Sequence, residues 1–195
     1  MQHENPTPPD PHLAPLASGA PAETPEGLLA RLAALGIAAE TVRHPPLHSV
    51  AESKALRGSL PGAHVKNLFL RPRDPGPCIL AVLEEDRRIS INALLRRLGV
   101  PRGQLAPAGM LWAELGVRPG SVTPLGMVNA VPGRVRVAID RAVLEGVERV
   151  HVHPLVNTAT TALAPEGLLR FLRALGHAPE LLDLPEDLPE TQPAG

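Results

Sequence analysis

Three short stretches of this 195-residue chain are more polar than a hydrophobic core requires, yet each sits among apolar residues. The first is His64-Val65-Lys66-Asn67-Leu68-Phe69-Leu70. In an extended strand alternate residues share a face, so Lys66, Leu68 and Leu70 point one way and Val65, Asn67 and Phe69 the other. Either Lys66 or Asn67 must then compete with apolar neighbours for the buried side. Burying an ammonium or an amide without a partner is costly. The plain alternative is a strand end from which Lys66 reaches water along its own stem, and on this stretch alone the two readings weigh equally. Composition sharpens the question. The chain has 17 Arg but only two Lys, Lys54 and Lys66. Where Arg is the default cation, a Lys among apolar strand residues suggests point-charge chemistry that a planar guanidinium does not supply. Lys54, in an apparent exposed helix, needs no such account.

The second stretch is Gly120-Ser121-Val122-Thr123-Pro124, with Gly126 and Asn129 close behind. Glycines and a proline around small hydroxyl residues form a loop whose backbone N–H groups can approach a ligand closely. A tight connection would read the same way. The third stretch runs His151-Val152-His153-Pro154-Leu155-Val156-Asn157-Thr158-Ala159-Thr160-Thr161. Its two histidines share a strand face and could bind a metal only with further ligands from elsewhere. His44, His48 and His64 keep that option open, although a histidine satisfied by its neighbours is the commoner outcome for each. Asn157, Thr158, Thr160 and Thr161 offer neutral donors and acceptors, which suit a polar substrate better than a cation. No carboxylate pair and no Ser/His/Asp set stands out, and Cys78, after Pro77, reads as a small hydrophobe. The residues alone describe a polar pocket lined by Lys66, the 120–129 loop and the 151–161 strand; a reaction type does not follow.

The elements that must position these stretches are short. Thr24-Pro25-Glu26 starts a helix, with Leu28, Leu32 and Leu35 as its apolar stripe and Gly36 as its end. A strand through Thr41, Val42 and Arg43 leads to His44-Pro45-Pro46, and Ser49-Val50-Ala51-Glu52 is a capping box opening a second helix that stops near Gly58. Stretches 64–71 and 78–83 form a hairpin around a turn rich in Pro and Gly. Helices are expected over 90–98 and 109–115, and 116–134 reads as an ordered functional loop. Strands follow over 135–139, 149–153 and 157–163, with a short helix at 141–145 and a last helix over 165–175. Strands interleaved with helices imply a single α/β (α+β) domain with a mixed sheet. Residues 1–23, with six prolines, read as a disordered leader, 24–184 as the folded domain and 185–195 as a flexible acidic tail.

Bulk composition narrows the function classes. One Trp, two Phe and no Tyr make aromatic base-stacking platforms an improbable mode of nucleic-acid binding. A single cysteine excludes an internal disulfide framework and a Cys-rich zinc site. No charged start precedes a long apolar run, so the expectation is a cytoplasmic protein without signal peptide or membrane span. Net charge is −1, but residues 60–150 hold 13 Lys and Arg against 8 Asp and Glu. That basic middle fits contact with a few phosphates, and solvated helix faces explain it about as well.

The three stretches, in this order and spacing, resemble the YbaK/prolyl-tRNA-synthetase editing-domain family of aminoacyl-tRNA deacylases. HVKNLFL, PGSVTPLGMVN and HVHPLVNTATTAL are its recurrent segments, and the likeness spans roughly 25–184. Within the family the chain looks most like the free-standing prolyl-type members called PrdX or ProX. The resemblance implies a barrel-like mixed α/β fold and metal-free, cofactor-free hydrolysis of the ester joining alanine to tRNA(Pro), with water attack assisted by the 2′-hydroxyl of the terminal adenosine. It implies that Lys66 holds the terminal phosphate or ribose, and that Gly120, Ser121, Thr123 and Pro124 form the G-x-x-x-P loop that shapes the pocket and positions the carbonyl. His153 would limit pocket size, and His44, Asn67, Asn129, Asn157, Thr160 and Thr161 would line it. The family's key histidine aligns with either His151 or His153. Leu47-His48-Ser49 departs from the aromatic or aliphatic residue and Thr usual there.

The expected partner is the acceptor end of mischarged tRNA(Pro), with prolyl-tRNA synthetase or an elongation factor as candidate transient partners and neither membrane nor DNA. The rival readings are a cysteinyl-tRNA(Pro) or other small aminoacyl-tRNA deacylase, a non-catalytic tRNA-binding homologue, and a His-based metallohydrolase.

Overall fold

The computed structural model describes residues 14–46 and 61–189. The expected capping box and helix at 49–58, and the Leu47-His48-Ser49 departure, lie outside the described residues.

Helix α1 (Pro25–Ala34) begins as its sequence dictates: the Thr24 hydroxyl accepts the Gly27 N–H at 3.0 Å and Pro25 occupies the first turn. Strand β1 (Ala39–Arg43) follows, then β2 (Ala63–Pro72) and β3 (Cys78–Glu84), which pair antiparallel from Val65↔Glu84 to Leu70↔Ile79. Beyond β4 (Arg88–Ile89), helix α2 (Ile91–Arg97) is capped by Ser90, and β5 (Gly103–Leu105) pairs with the far end of β2. Helix α3 (Ala108–Leu115) precedes a 3-10 turn at Pro124–Val128 and β6 (Val135–Asp140). Strands β7 (Val150–Val152) and β8 (Ala159–Leu163), helix α4 (Pro165–Ala174), β9 (Glu180–Leu182) and β10 (Asp187–Leu188) complete the chain.

The main sheet runs β1-β8-β7-β2-β3-β6-β9, with β5 added beside β2. It is mixed, as expected: β2 is antiparallel to β3 and parallel to β7, and β3 is parallel to β6. Each face buries its own apolar cluster. Leu28 and Leu32 of α1, Leu111 and Leu115 of α3 and Leu168, Phe171 and Leu172 of α4 cover one face. Leu94, Leu95 and Leu98, from α2 and its cap, cover the other, against Leu70, Ile79, Ala81 and Leu83. Strand β3 is buried on both faces, which is why it reads as the unbroken apolar run CILAVL.

Two boundaries differ from expectation. The supposed leader is tied down from residue 14: the Trp112 indole donates to the Ala14 carbonyl at 2.8 Å, Ala17 N–H to the Ala113 carbonyl at 2.7 Å, and Leu16 is buried. Proline content hid a segment whose backbone docks on α3. The supposed tail likewise contributes β10, parallel to β4 through Asp187↔Arg88 and Leu188↔Ile89. Backbone pairing of two such short strands leaves no periodicity to read.

Candidate functional site

Strand β2 brings Lys66 and Asn67 to opposite faces of the sheet. Asn67 shares the face of Val65 and Phe69, and its Nδ2 donates to the Val122 carbonyl at 2.9 Å, joining β2 to the 116–134 loop. Its Oδ1 is buried and has no partner among the described residues. A buried acceptor left unmet is costly, so a donor brought to that point would be stabilised. Lys66 shares the face of Leu68 and is half-buried. Burial lowers its ammonium pKa below the ordinary lysine value, and the nearby Glu84, Asp86 and Glu85 work against that shift.

The loop itself is held at several points. Gly120 is exposed with φ +85°, the left-handed region that disfavours a side chain, and a Cβ there would lie 3.5 Å from Asn157 Nδ2. Ser121 is buried and its N–H donates to the Arg118 carbonyl at 2.9 Å. Thr123, fully buried, accepts the Leu125 N–H and starts the 3-10 turn with Pro124 as its first residue. The N–H groups of Gly120 and Val122 donate to no described group. Two uncommitted amides flanking a committed one are the available donors for an anionic or carbonyl oxygen.

The third stretch supplies a second polar wall. His153 Nδ1 donates to the Ala159 carbonyl at 3.0 Å, which fixes the tautomer and leaves Nε2 as the acceptor nitrogen. Burial lowers the pKa of this imidazole; the Ala159 bond opposes the shift and the neighbouring His44 adds to it. His44 donates from Nδ1 to the Pro45 carbonyl at 2.8 Å, so its Nε2 accepts from the Thr160 hydroxyl at 2.9 Å. Between His153 and Asn157 lies buried Leu155 with φ +68°, the only positive-φ non-glycine among the described residues. An L-residue held there costs about 1–2 kcal/mol, and such strain concentrates where a loop must present groups in a set geometry. His151 diverges from His153. It stacks on His64 with ring centroids 4.4 Å apart and donates from Nε2 to the Pro61 carbonyl at 3.1 Å.

Asn67, Gly120, Val122 and Asn157 therefore converge around one loop, with His44, Thr160 and His153 as a second cluster. Three expected pocket residues are employed elsewhere. Asn129 accepts the Glu23 N–H at 2.8 Å and donates to the Leu115 carbonyl at 2.9 Å, so it ties the N-terminal segment to α3. Thr161 alternates away from Thr160 and bonds Thr41 on β1 at 2.8 Å. Thr123 spends its hydroxyl on its own turn. The sequence reading missed His177, which is buried, has no partner for its ring Nε2 among the described residues, and whose pKa burial lowers. It stands just after a helix-ending glycine, where no pattern marks it.

Cys78 Sγ donates to Met110 Sδ at 3.5 Å, and burial pushes its thiol pKa up, so it is held as a thiol. Among the described residues no three His, Cys, Asp or Glu side chains could hold a metal ion together, and no helix is long and apolar enough to cross a membrane.

Comparison with known proteins identifies the family and the fold. The aminoacyl-tRNA editing domain family matches residues 44–171. The chain is 39% identical over 165 residues to prolyl-tRNA synthetase associated domain-containing protein 1 of Bos taurus, covering 83% of this chain and 96% of that one. It is 28% identical over 159 residues to the prolyl-tRNA editing protein ProX of Acetoanaerobium sticklandii, covering 82% and 96%. The solved structure of a candidate trans-editing enzyme for prolyl-tRNA synthetase superposes with a TM-score of 0.61 at 20% identity, over 81% of this chain and 92% of that one, which shows a shared fold.

Proposed function

The chain belongs to the aminoacyl-tRNA editing domain family, and from that premise we propose that it hydrolyses, in trans, the ester joining alanine to mischarged tRNA(Pro). The observation that carries this reading is the convergence of Asn67 and Asn157 on the loop from Gly120 to Pro124, through the Asn67–Val122 bond and the close approach of Gly120 to Asn157. In this reading the space they frame takes a short side chain and rejects a larger one. Such a second sieve is needed because a synthetase pocket shaped for proline excludes the smaller alanine at only modest cost.

In this reading the Gly120 and Val122 amides stabilise the oxygen of the ester carbonyl as it gains charge. Ser121, whose N–H is committed to Arg118, holds the turn between them. His153, neutral and fixed in one tautomer, walls the pocket with His44 and Thr160. Lys66 faces away from the loop, so its part is outside the amino-acid recess, meeting the terminal phosphate or ribose as a compact charge. Water attacks the ester carbon with the 2′-hydroxyl of the terminal adenosine assisting, so no protein nucleophile is called on. Water adds to the carbonyl carbon, one of its protons passes by way of the 2′-hydroxyl to the 3′-oxygen as the ester bond breaks, and alanine and tRNA leave.

The test is release of alanine from alanyl-tRNA(Pro) by protein at a few per cent of the substrate concentration. Many turnovers per protein are expected. Release no faster than spontaneous hydrolysis would reject the reading and leave a non-catalytic tRNA-binding protein.

A further inference from the structure

We propose that the arginines at the far end of β2 form a docking surface for the sugar–phosphate backbone of the tRNA whose acceptor end the site takes; the inference rests on the function proposed above. Strand β2 carries Lys66 and Asn67 near its start and Arg71 at its other end. At about 3.3 Å per residue, Arg71 lies on the order of 13 Å along the strand from Asn67, and the alternation Asn67, Phe69, Arg71 places it on the same face. Backbone pairing with β5 continues past the strand end. Arg71 is opposite Gln104, Pro72 opposite Gly103, and the Arg73 N–H donates to the Arg102 carbonyl at 2.9 Å.

Arg73 and Arg102 are therefore brought side by side, with Arg71 beside them. Like charges on paired strands destabilise a sheet, whereas several arginines elsewhere in this fold are answered by carboxylates: Arg87 by Asp140, Arg134 by Glu114, Arg136 by Glu180, Arg149 by Glu40. Arg71, Arg73 and Arg102 are exposed and make no ion pair with a described residue. They line two adjoining clefts of about 330 and 490 Å³ that share Arg71, Pro72 and Arg73. Of the two carboxylates at the second cleft, Glu114 is already bound by Arg134, which leaves Asp74. Three guanidiniums without an ion-pair partner among the described residues, around open clefts, match a polyanion whose phosphates accept forked N–H donors. This places part of the basic surplus of the middle of the chain at one end of the strand that also carries the site.

The experiment measures binding of uncharged tRNA(Pro) to the full chain by fluorescence anisotropy over a range of salt, so it does not depend on hydrolysis. The triple variant Arg71→Gln/Arg73→Gln/Arg102→Gln should bind at least about 10-fold more weakly, with the slope of log K against log salt reduced by about 2–3. The triple Arg→Lys variant, which keeps the charge, should retain the wild-type slope. Arg170→Gln on α4 should change neither quantity. An unaltered affinity and slope in the Gln triple would overturn the proposal, as would an equal loss in Arg170→Gln. So would arginine-dependent binding of polyglutamate with no binding of tRNA, which would assign the surface to an acidic polypeptide. A protein that binds tRNA through these arginines but releases no alanine would uphold the docking surface and reject the hydrolytic reading. Alanine release with no contribution from the arginines would do the reverse.

Discussion

Asn67 and Val122 are 55 positions apart in sequence and joined by one hydrogen bond of 2.9 Å, from a side-chain amide to a backbone carbonyl. That bond fixes the 116–134 loop against the strand that carries Lys66. Replacing Asn67 with Ala removes the donor and leaves a part-buried carbonyl unmet, a cost of about 1–3 kcal/mol. Deacylation should fall with it, by roughly 10-fold or more, because a small misplacement of a positioning loop is enough. Asn67→Asp should be worse for activity, since a carboxylate would face the Val122 carbonyl. Denaturant unfolding and kcat/KM, measured on both variants, check this; full activity in either would remove Asn67 from the site.

Gly120 is required by conformation more than by space. A Cβ at this position meets Asn157 at 3.5 Å, an ordinary contact, but the φ of +85° is one that L-residues resist. Gly120→Ala should therefore cost about 1–2 kcal/mol, and Gly120→Val more, with a larger loss of kcat/KM than of stability as the recess fills. Equal thermal stability of Gly120→Ala and wild type would show that the loop relaxes to another conformation.

His153 and His177 both have pKa values lowered, in each case chiefly by burial. An unfolded imidazole titrates near about 6.5, so just below that pH the unfolded chain holds protons that the folded chain does not. Stability from this source is full above that range, falls as pH drops through it, and levels off below the folded-state values. His153→Asn keeps a donor for the Ala159 carbonyl and removes the titration. It should flatten part of the decline in unfolding free energy as pH falls below about 6.5, with a further part removed by adding His177→Asn. A slope unchanged in the double variant would contradict the burial argument.

Asp140, 1% exposed, is gripped by Arg87 through Nε at 2.7 Å and Nη2 at 3.3 Å. It also accepts the N–H of Ala142. Arg87→Leu strands a buried carboxylate and should destabilise the fold by about 3–5 kcal/mol. Arg87→Leu with Asp140→Leu should recover much of that loss, because replacing a buried pair by apolar groups is often near neutral. Thermal melts of the single and double variants decide it.

Much of this was legible in the chain. The Thr24-Pro25 helix start, the apolar run of β3 and the alternation along β2 are local patterns, and each appears in the fold where the residues place it. The three polar stretches were visible as polarity out of place among apolar residues. Their individual roles were less so. Asn129 looks like a loop ligand until its partners, Glu23 and Leu115, are known, and both are distant in sequence. Thr160 and Thr161 look alike, yet strand alternation sends one to His44 and the other to Thr41. The strained φ of Leu155 and the burial of His177 arise from packing of remote segments, which no spacing rule encodes.

The most direct measurement is deacylation of alanyl-, cysteinyl- and prolyl-tRNA(Pro) side by side, by wild type and Lys66→Ala. Rapid loss of alanine, slow or no loss of proline, and a drop of at least about 100-fold in the variant (~2.7 kcal/mol of transition-state stabilisation) are expected. Preference for cysteine would keep the site and move the specificity. Failure to hydrolyse any of the three would contradict the account.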